Sequence, residues 1–193
     1  MSETDLVYRF VANKVRSLSD SGSWQAASLA KLRRGIGKPP GASPGVWELT
    51  LAELPEALAS DYGKPSYAEW AIHLALTLFA LHQQGKSDSV NDQGVSFGQA
   101  VSLLIAPDGK NESGIKSRFD AALTAKNIGE FAHHARGLIQ LMRAHEVQMD
   151  YPLFAKDMYE YQFNESKDKV RLRWAEAYYR VNNMPEPQAE GEQ

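Results

Sequence analysis

Ser66-Tyr67-Ala68-Glu69-Trp70-Ala71-Ile72-His73-Leu74-Ala75-Leu76-Thr77-Leu78-Phe79-Ala80-Leu81-His82-Gln83-Gln84-Gly85 is the stretch that decides the fold. It opens on a Ser-x-x-Glu capping box, in which the serine hydroxyl and the glutamate carboxylate accept hydrogen bonds from each other's backbone N–H groups. Trp70 to Gln84 is then apolar almost all round, and Gly85 supplies a C-terminal stop. A helix without a polar face belongs inside a protein core or a membrane. Its most apolar part, Ala71 to Leu81, is interrupted by His73 and Thr77 and falls far short of the roughly 20 residues a bilayer span requires. The stretch therefore predicts a buried central helix against which the rest of the chain is arranged.

Helix signals continue on both sides, and the alternating β-branched pattern of strands is nearly absent. Upstream, Val7, Phe10, Val11, Val15 and Leu18 share one face of a helix over Asp5–Leu18, stopped by Ser19-Asp20-Ser21-Gly22. Ser23 caps a second helix that ends at Gly35, followed by a proline- and glycine-rich loop from Gly37 to Gly45. A short acidic helix is predicted between Thr50 and Ser60. Downstream, Ser96-Phe97-Gly98-Gln99 repeats the capping-box pattern before a helix reaching Ile105. Further helices are predicted over Ser113–Ala125, over Gly129–Ala144 after an Asn127 cap, over Pro152–Tyr161 after an Asp150 cap, and over Glu165–Asn182 after an Asn164 cap. The class is all-α, a compact multi-helix bundle with two helical lobes. Residues 1–183 form one all-helical domain, and residues 184–193 read as a disordered acidic tail.

The 193 residues contain no cysteine, which removes disulfides, zinc ribbons and thiolate nucleophiles together. The N-terminus, Met1-Ser2-Glu3-Thr4-Asp5, carries acid where an export signal carries base, so a cytoplasmic location is expected. Gly35-Ile36-Gly37-Lys38 superficially matches a phosphate-binding loop, but Pro39 stands where Ser or Thr is needed and no strand precedes it. His133 and His134 lie 11 or 12 residues from His145, about 17 Å along one helix, and His73 and His82 are about 13 Å apart, so neither set can share a metal ion. No nucleophile elbow or metalloprotease helix occurs. Neither a catalytic residue, a metal site nor a cofactor is expected, and the chain reads as a non-enzyme.

Charge carries more information than its sum of −3. The tail from Met184 holds Glu186, Glu190 and Glu192 with no base, so the remainder is neutral. Ser21 to Trp47 contains Lys31, Arg33, Arg34 and Lys38 and no acid, whereas Glu48, Glu53, Glu56, Asp61 and Glu69 next face only Lys64. From Lys110 to Arg143 the bases Lys110, Lys116, Arg118, Lys126, Arg136 and Arg143 outnumber Glu112, Asp120 and Glu130. On the last helix Lys169, Arg173 and Arg180 recur along one flank. Segregated charge of this kind produces strong local potentials suited to phosphate binding, although surface lysine and arginine also serve solubility.

Several blocks taken in order carry a resemblance. They are Leu29-Ala30-Lys31-Leu32-Arg33-Arg34-Gly35, Leu78 to Gly85, Gly94-Val95-Ser96-Phe97-Gly98-Gln99-Ala100, Ser117-Arg118-Phe119 with Leu123-Thr124-Ala125, Leu138 to Tyr151, and Val170-Arg171-Leu172-Arg173-Trp174-Ala175. Across residues 6 to 181 the chain resembles the CasB family, the small subunit of the type I-E CRISPR surveillance complex called Cascade. The resemblance implies an all-helical, two-lobed subunit without enzymatic activity that acts in antiviral defence. It implies two copies in a crRNA-guided complex, contacts to the backbone subunits and the large subunit, and basic surface residues that hold the target and displaced DNA strands of the R-loop. Arg33 and Arg34 match the family's early arginine pair, and Arg118 and Arg136 fall in its two later basic segments. Lys31, Lys116, Lys126, Arg143, Arg171 and Arg173 follow as secondary candidates. A purely structural adaptor, whose basic patches meet acidic faces of neighbouring subunits, is the alternative. The single base of Gly114-Ile115-Lys116-Ser117 departs from the family, which often has more there, and the acidic tail is not part of the resemblance.

Overall fold

The computed structural model describes residues 1–61 and 63–182, and among these the chain forms nine α-helices and no strand. In chain order they are α1 (Glu3–Ser19), α2 (Ser23–Arg33), α3 (Trp47–Thr50), α4 (Tyr67–His82), α5 (Phe97–Ser102), α6 (Glu112–Leu123), α7 (Ile128–His145), α8 (Tyr151–Tyr161) and α9 (Asn164–Asn182). The capping box of α4 forms as predicted: Glu69 N–H donates to Ser66 Oγ and Ser66 N–H donates to Glu69 Oε2, both at 3.0 Å. Every residue from Ala71 to His82 is buried, because α1, α2, α7 and α8 cover α4 from different sides. Each large apolar side chain so enclosed contributes about 1.5–3 kcal/mol before conformational entropy is counted.

The helices share one core. α1 packs on α8 and α4, whereas α5 packs on α9 and α6 on α7, with α4 and α8 belonging to both groups. The second half is built on aromatic rings: Phe97 meets Phe119, Phe131, Phe154 and Trp174 at centroid distances of 5.1–6.1 Å. Gly98, beside Phe97, lies directly against the α9 backbone, where a Cβ would overlap the Trp174 carbonyl and stand 2.8 Å from its Cα. A strap ties the α4–α5 connection to the start of α8. Asn91 bridges Met149, Tyr151 N–H donates to Asn91 Oδ1 at 2.8 Å, and Gly94 N–H donates to Asp150 Oδ2 at 2.9 Å.

Helix ends are where the sequence expectations needed correction. α1 starts at Glu3, not Asp5, because Ser2 caps it: its hydroxyl accepts from Asp5 N–H at 3.3 Å while the Asp5 carboxylate accepts from Ser2 N–H. The acidic helix predicted over Thr50–Ser60 does not form. Only α3 and two 3-10 turns, Pro44–Val46 and Glu56–Leu58, occupy that region. Glu53 adopts a left-handed φ of 65°, and Pro55 both lacks a donor and pushes Leu54 away from helical backbone. α5 stops at Ser102 rather than Ile105, since Pro107 follows and Asn111 bonds the Leu104 carbonyl and the Ala106 N–H instead. Asn164 is the first residue of α9 and not its cap. No helix of the described residues is long and apolar enough to cross a membrane. The acidic tail expected over 184–193 lies outside the described residues.

Candidate nucleic-acid interface

The end of α4 organises the basic residues. The last carbonyls of a helix have no intrahelical partner and carry the negative end of its dipole, so cations collect there. Arg33, in the last turn of α2, donates from Nη1 to the Ala80 carbonyl at 3.4 Å, and Arg143, near the end of α7, donates from Nε to the Gln84 carbonyl at 2.9 Å. The pKa of Arg33 lies below its usual value, first through burial and then through the charge of Arg143. Arg34 is exposed beside them.

From this pair α7 carries the positive charge along the surface. Arg136 lies seven residues before Arg143, two turns or about 10.5 Å along the same helix face. It shares a shallow depression with Arg118 of α6 and with His133 and His134, floored by Gly137. The Arg118 guanidinium passes over Gly137, where an added Cβ would meet it at an ordinary contact distance of 3.8 Å. On its other side Arg136 borders a cleft that also holds Lys38, from the loop after α2. Among the described residues none of Arg33, Arg34, Lys38, Arg118, Arg136 and Arg143 forms an ion pair. Lys38 was not among the candidates read from sequence, although the acid-free stretch from Ser21 to Trp47 contained the signal. His133 and His134 join this face as well, away from any cluster of three His, Asp or Glu able to hold a metal among the described residues.

Other candidates, Lys126 apart, are held by partners of their own. Lys31 pairs with Glu48 at 3.5 Å and Lys116 with Asp120 at 2.5 Å. Arg171 pairs with Asp168 at 3.1 Å, donates to the Ala125 carbonyl and lies over the Tyr161 ring. Arg173 bonds Asp157 and Glu160, both at 2.7 Å, and Asp157 is buried where it also accepts from Trp174 Nε1 at 2.6 Å. Lys126 is exposed where α6 ends against α9, and its carbonyl accepts from Lys167 at 3.0 Å. Lys167 and Arg171 thus reach the α6–α7 connection through the Lys126 and Ala125 carbonyls. The acidic stretch is equally engaged: Glu69 caps α4, Glu53 pairs with Lys14 at 3.0 Å, and Glu48 holds Lys31.

An all-helical body with this arrangement of cations can be compared with known proteins. The family model for CRISPR-associated protein Cse2 matches residues 28–179, from α2 to α9. The chain belongs to the Cse2 family. Among solved structures, CasB from Thermobifida fusca superposes with a TM-score of 0.77 at 29% identity, covering 90% of this chain and 98% of that one. CasB from Thermus thermophilus gives 0.68 at 24% identity, covering 93% and 99%. A chain of a CRISPR RNA-guided surveillance complex gives 0.71 at 16% identity, covering 91% and 94%, a likeness of fold alone. No curated protein sequence matches. The resemblance read from the sequence blocks is thus met by a Cse2 match that spans the helices carrying Arg33, Arg34, Arg118 and Arg136.

Proposed function

We propose that this chain is the non-catalytic small subunit of a type I-E CRISPR RNA-guided interference complex. There it sits with the backbone subunits, the large subunit and a second copy of itself, and holds the target and displaced DNA strands of the R-loop by their phosphates. One observation carries the reading: cations without acidic partners among the described residues, drawn from α2, α6, α7 and the loop after α2, gather beside α7. Such a face suits the task. Exchange of a DNA duplex for an RNA–DNA duplex is nearly balanced in free energy, so backbone contacts that ignore sequence can tip it while pairing supplies specificity.

Replacing Arg118 and Arg136 together by alanine tests the reading. Affinity of the assembled complex for target DNA should fall about equally across sequences, and each lost contact should reduce the slope of log affinity on log salt by about 0.7–0.9. Unchanged affinity and slope would remove the face from DNA binding. The adaptor reading draws support from the exposed aromatic pair Tyr67 and Phe163, whose rings meet edge to face at 4.9 Å. Crosslinking of the complex to its DNA separates the two, since an adaptor acquires no crosslinks.

A further inference from the structure

Between the loop after α2, α4 and α7 opens a cleft of about 220 Å³. Its walls are apolar, with Ile36 and Pro39 on one side, Trp70 and Leu74 on α4, and Ala132 on α7. Lys38 and Arg136 stand among its lining residues, and neither has an ion-pair partner among the described residues. Two buried polar residues line it, Thr77 and His73; His73 is 3% exposed, its Nε2 hydrogen-bonds with the Gly35 carbonyl at 3.2 Å and its Nδ1 has no partner among the described residues. Burial pushes the pKa of this imidazole down against the opposing pull of the Gly35 and Lys38 backbone, so the ring stays neutral at neutral pH. The neighbouring Thr77 hydroxyl is occupied by the His73 and Leu74 carbonyls.

We infer that this cleft receives one unstacked nucleobase of a single DNA strand whose flanking phosphates rest on Lys38 and Arg136. The inference rests on the phosphate-holding role proposed above and adds a second kind of contact to it. Arg136 and His133 line both this cleft and the depression beside Arg118, so a strand laid along that track passes the cleft mouth. The volume lies below the roughly 300 Å³ at which small-molecule pockets begin, which suits a single planar ring system. An aromatic side chain beside cations is also what proteins use to hold single strands regardless of sequence, because every base offers a flat π-face, and Trp70 lines this cleft. A hydrophobic side chain from a neighbouring subunit would fill the slot but leave its flanking cations without anions.

The full-length chain is titrated with a single-stranded oligonucleotide and with an abasic strand of the same length and phosphate count. The intact strand should bind at least about fivefold more tightly. Ala132→Trp, which fills the cleft, and Gly129→Met, which narrows its exposed edge, should each bring the intact strand down to the abasic affinity with the salt slope unchanged. Equal affinity for the two strands in the unaltered chain overturns the inference and leaves the phosphate role standing. Failure to bind either strand overturns the inference, while the phosphate role is decided separately by the assembled complex with Arg118 and Arg136 replaced. Cleft-filling variants that keep the preference for bases but block assembly with other subunits would assign the slot to a protein partner instead.

Discussion

Arg173 and Arg136 carry the same charge, and their surroundings give them different work. Arg173 neutralises Asp157, a carboxylate whose pKa burial pushes up despite the pull of Arg173 and Trp174. Arg173→Ala would leave that buried group with one donor, and unfolding in urea at pH 7 should report a loss of about 1–3 kcal/mol, with DNA affinity keeping its salt slope. Arg34→Ala, at an exposed position without such bonds, should change stability by less than about 0.5 kcal/mol. This division was only partly legible in the sequence. Spacing placed Lys169, Arg173 and Arg180 on one flank, but it cannot show that Asp157, on another helix, lies across from Arg173. Arg33 and Arg34 were readable because an acid-free stretch surrounds them, whereas the meeting of Arg118 with Arg136 depends on how α6 is laid on α7.

At the scale of elements, some of what is encoded locally came through, although Ser23 and Asn164, read as caps, are the first residues of α2 and α9. The caps at Ser66, Asn127 and Asp150 each accept from the N–H three residues on, at 2.8–3.0 Å. Those caps depend only on residues within one turn. The Thr50–Ser60 segment breaks at the left-handed Glu53 and at Pro55, and although Pro55 is visible in the sequence, the turned backbone of Glu53 is not. Gly98 illustrates the same limit. In the sequence it is one letter in a block, and in the structure it is the point where α5 touches the α9 backbone. Gly98→Ala must separate those helices, and thermal unfolding should show a loss of about 3 kcal/mol. An unchanged melting temperature would mean that α5 can move without cost.

At the scale of the molecule, two buried histidines make stability depend on pH. His82, bonded through Nδ1 to the Tyr151 hydroxyl at 3.0 Å, has its pKa pushed down to about 4, first by burial and then by Lys86 and Arg143. The unfolded chain, with an ordinary histidine pKa near 6.5, binds a proton that the folded chain refuses. Stability from this group is therefore complete above about pH 6.5 and is lost as pH falls toward 4. The expected loss between pH 7 and pH 5 is about 2 kcal/mol in urea unfolding, and His73, shifted in the same direction, adds to it. His82→Gln should flatten the profile over that interval, and a profile that keeps its slope would clear His82 of responsibility.

The enclosure of α4 also sets a clock on biosynthesis. α4 ends at His82, yet α8, which covers one of its sides, is complete only at Tyr161, 79 residues later. At translation rates of about 5–20 residues per second the ribosome needs roughly 4–16 s to bridge that gap. For that interval a helix that buries every side chain from Ala71 to His82 waits without its cover. The nascent chain must pass through a stage in which its most apolar segment is shielded by α1 and α2 alone or by a chaperone.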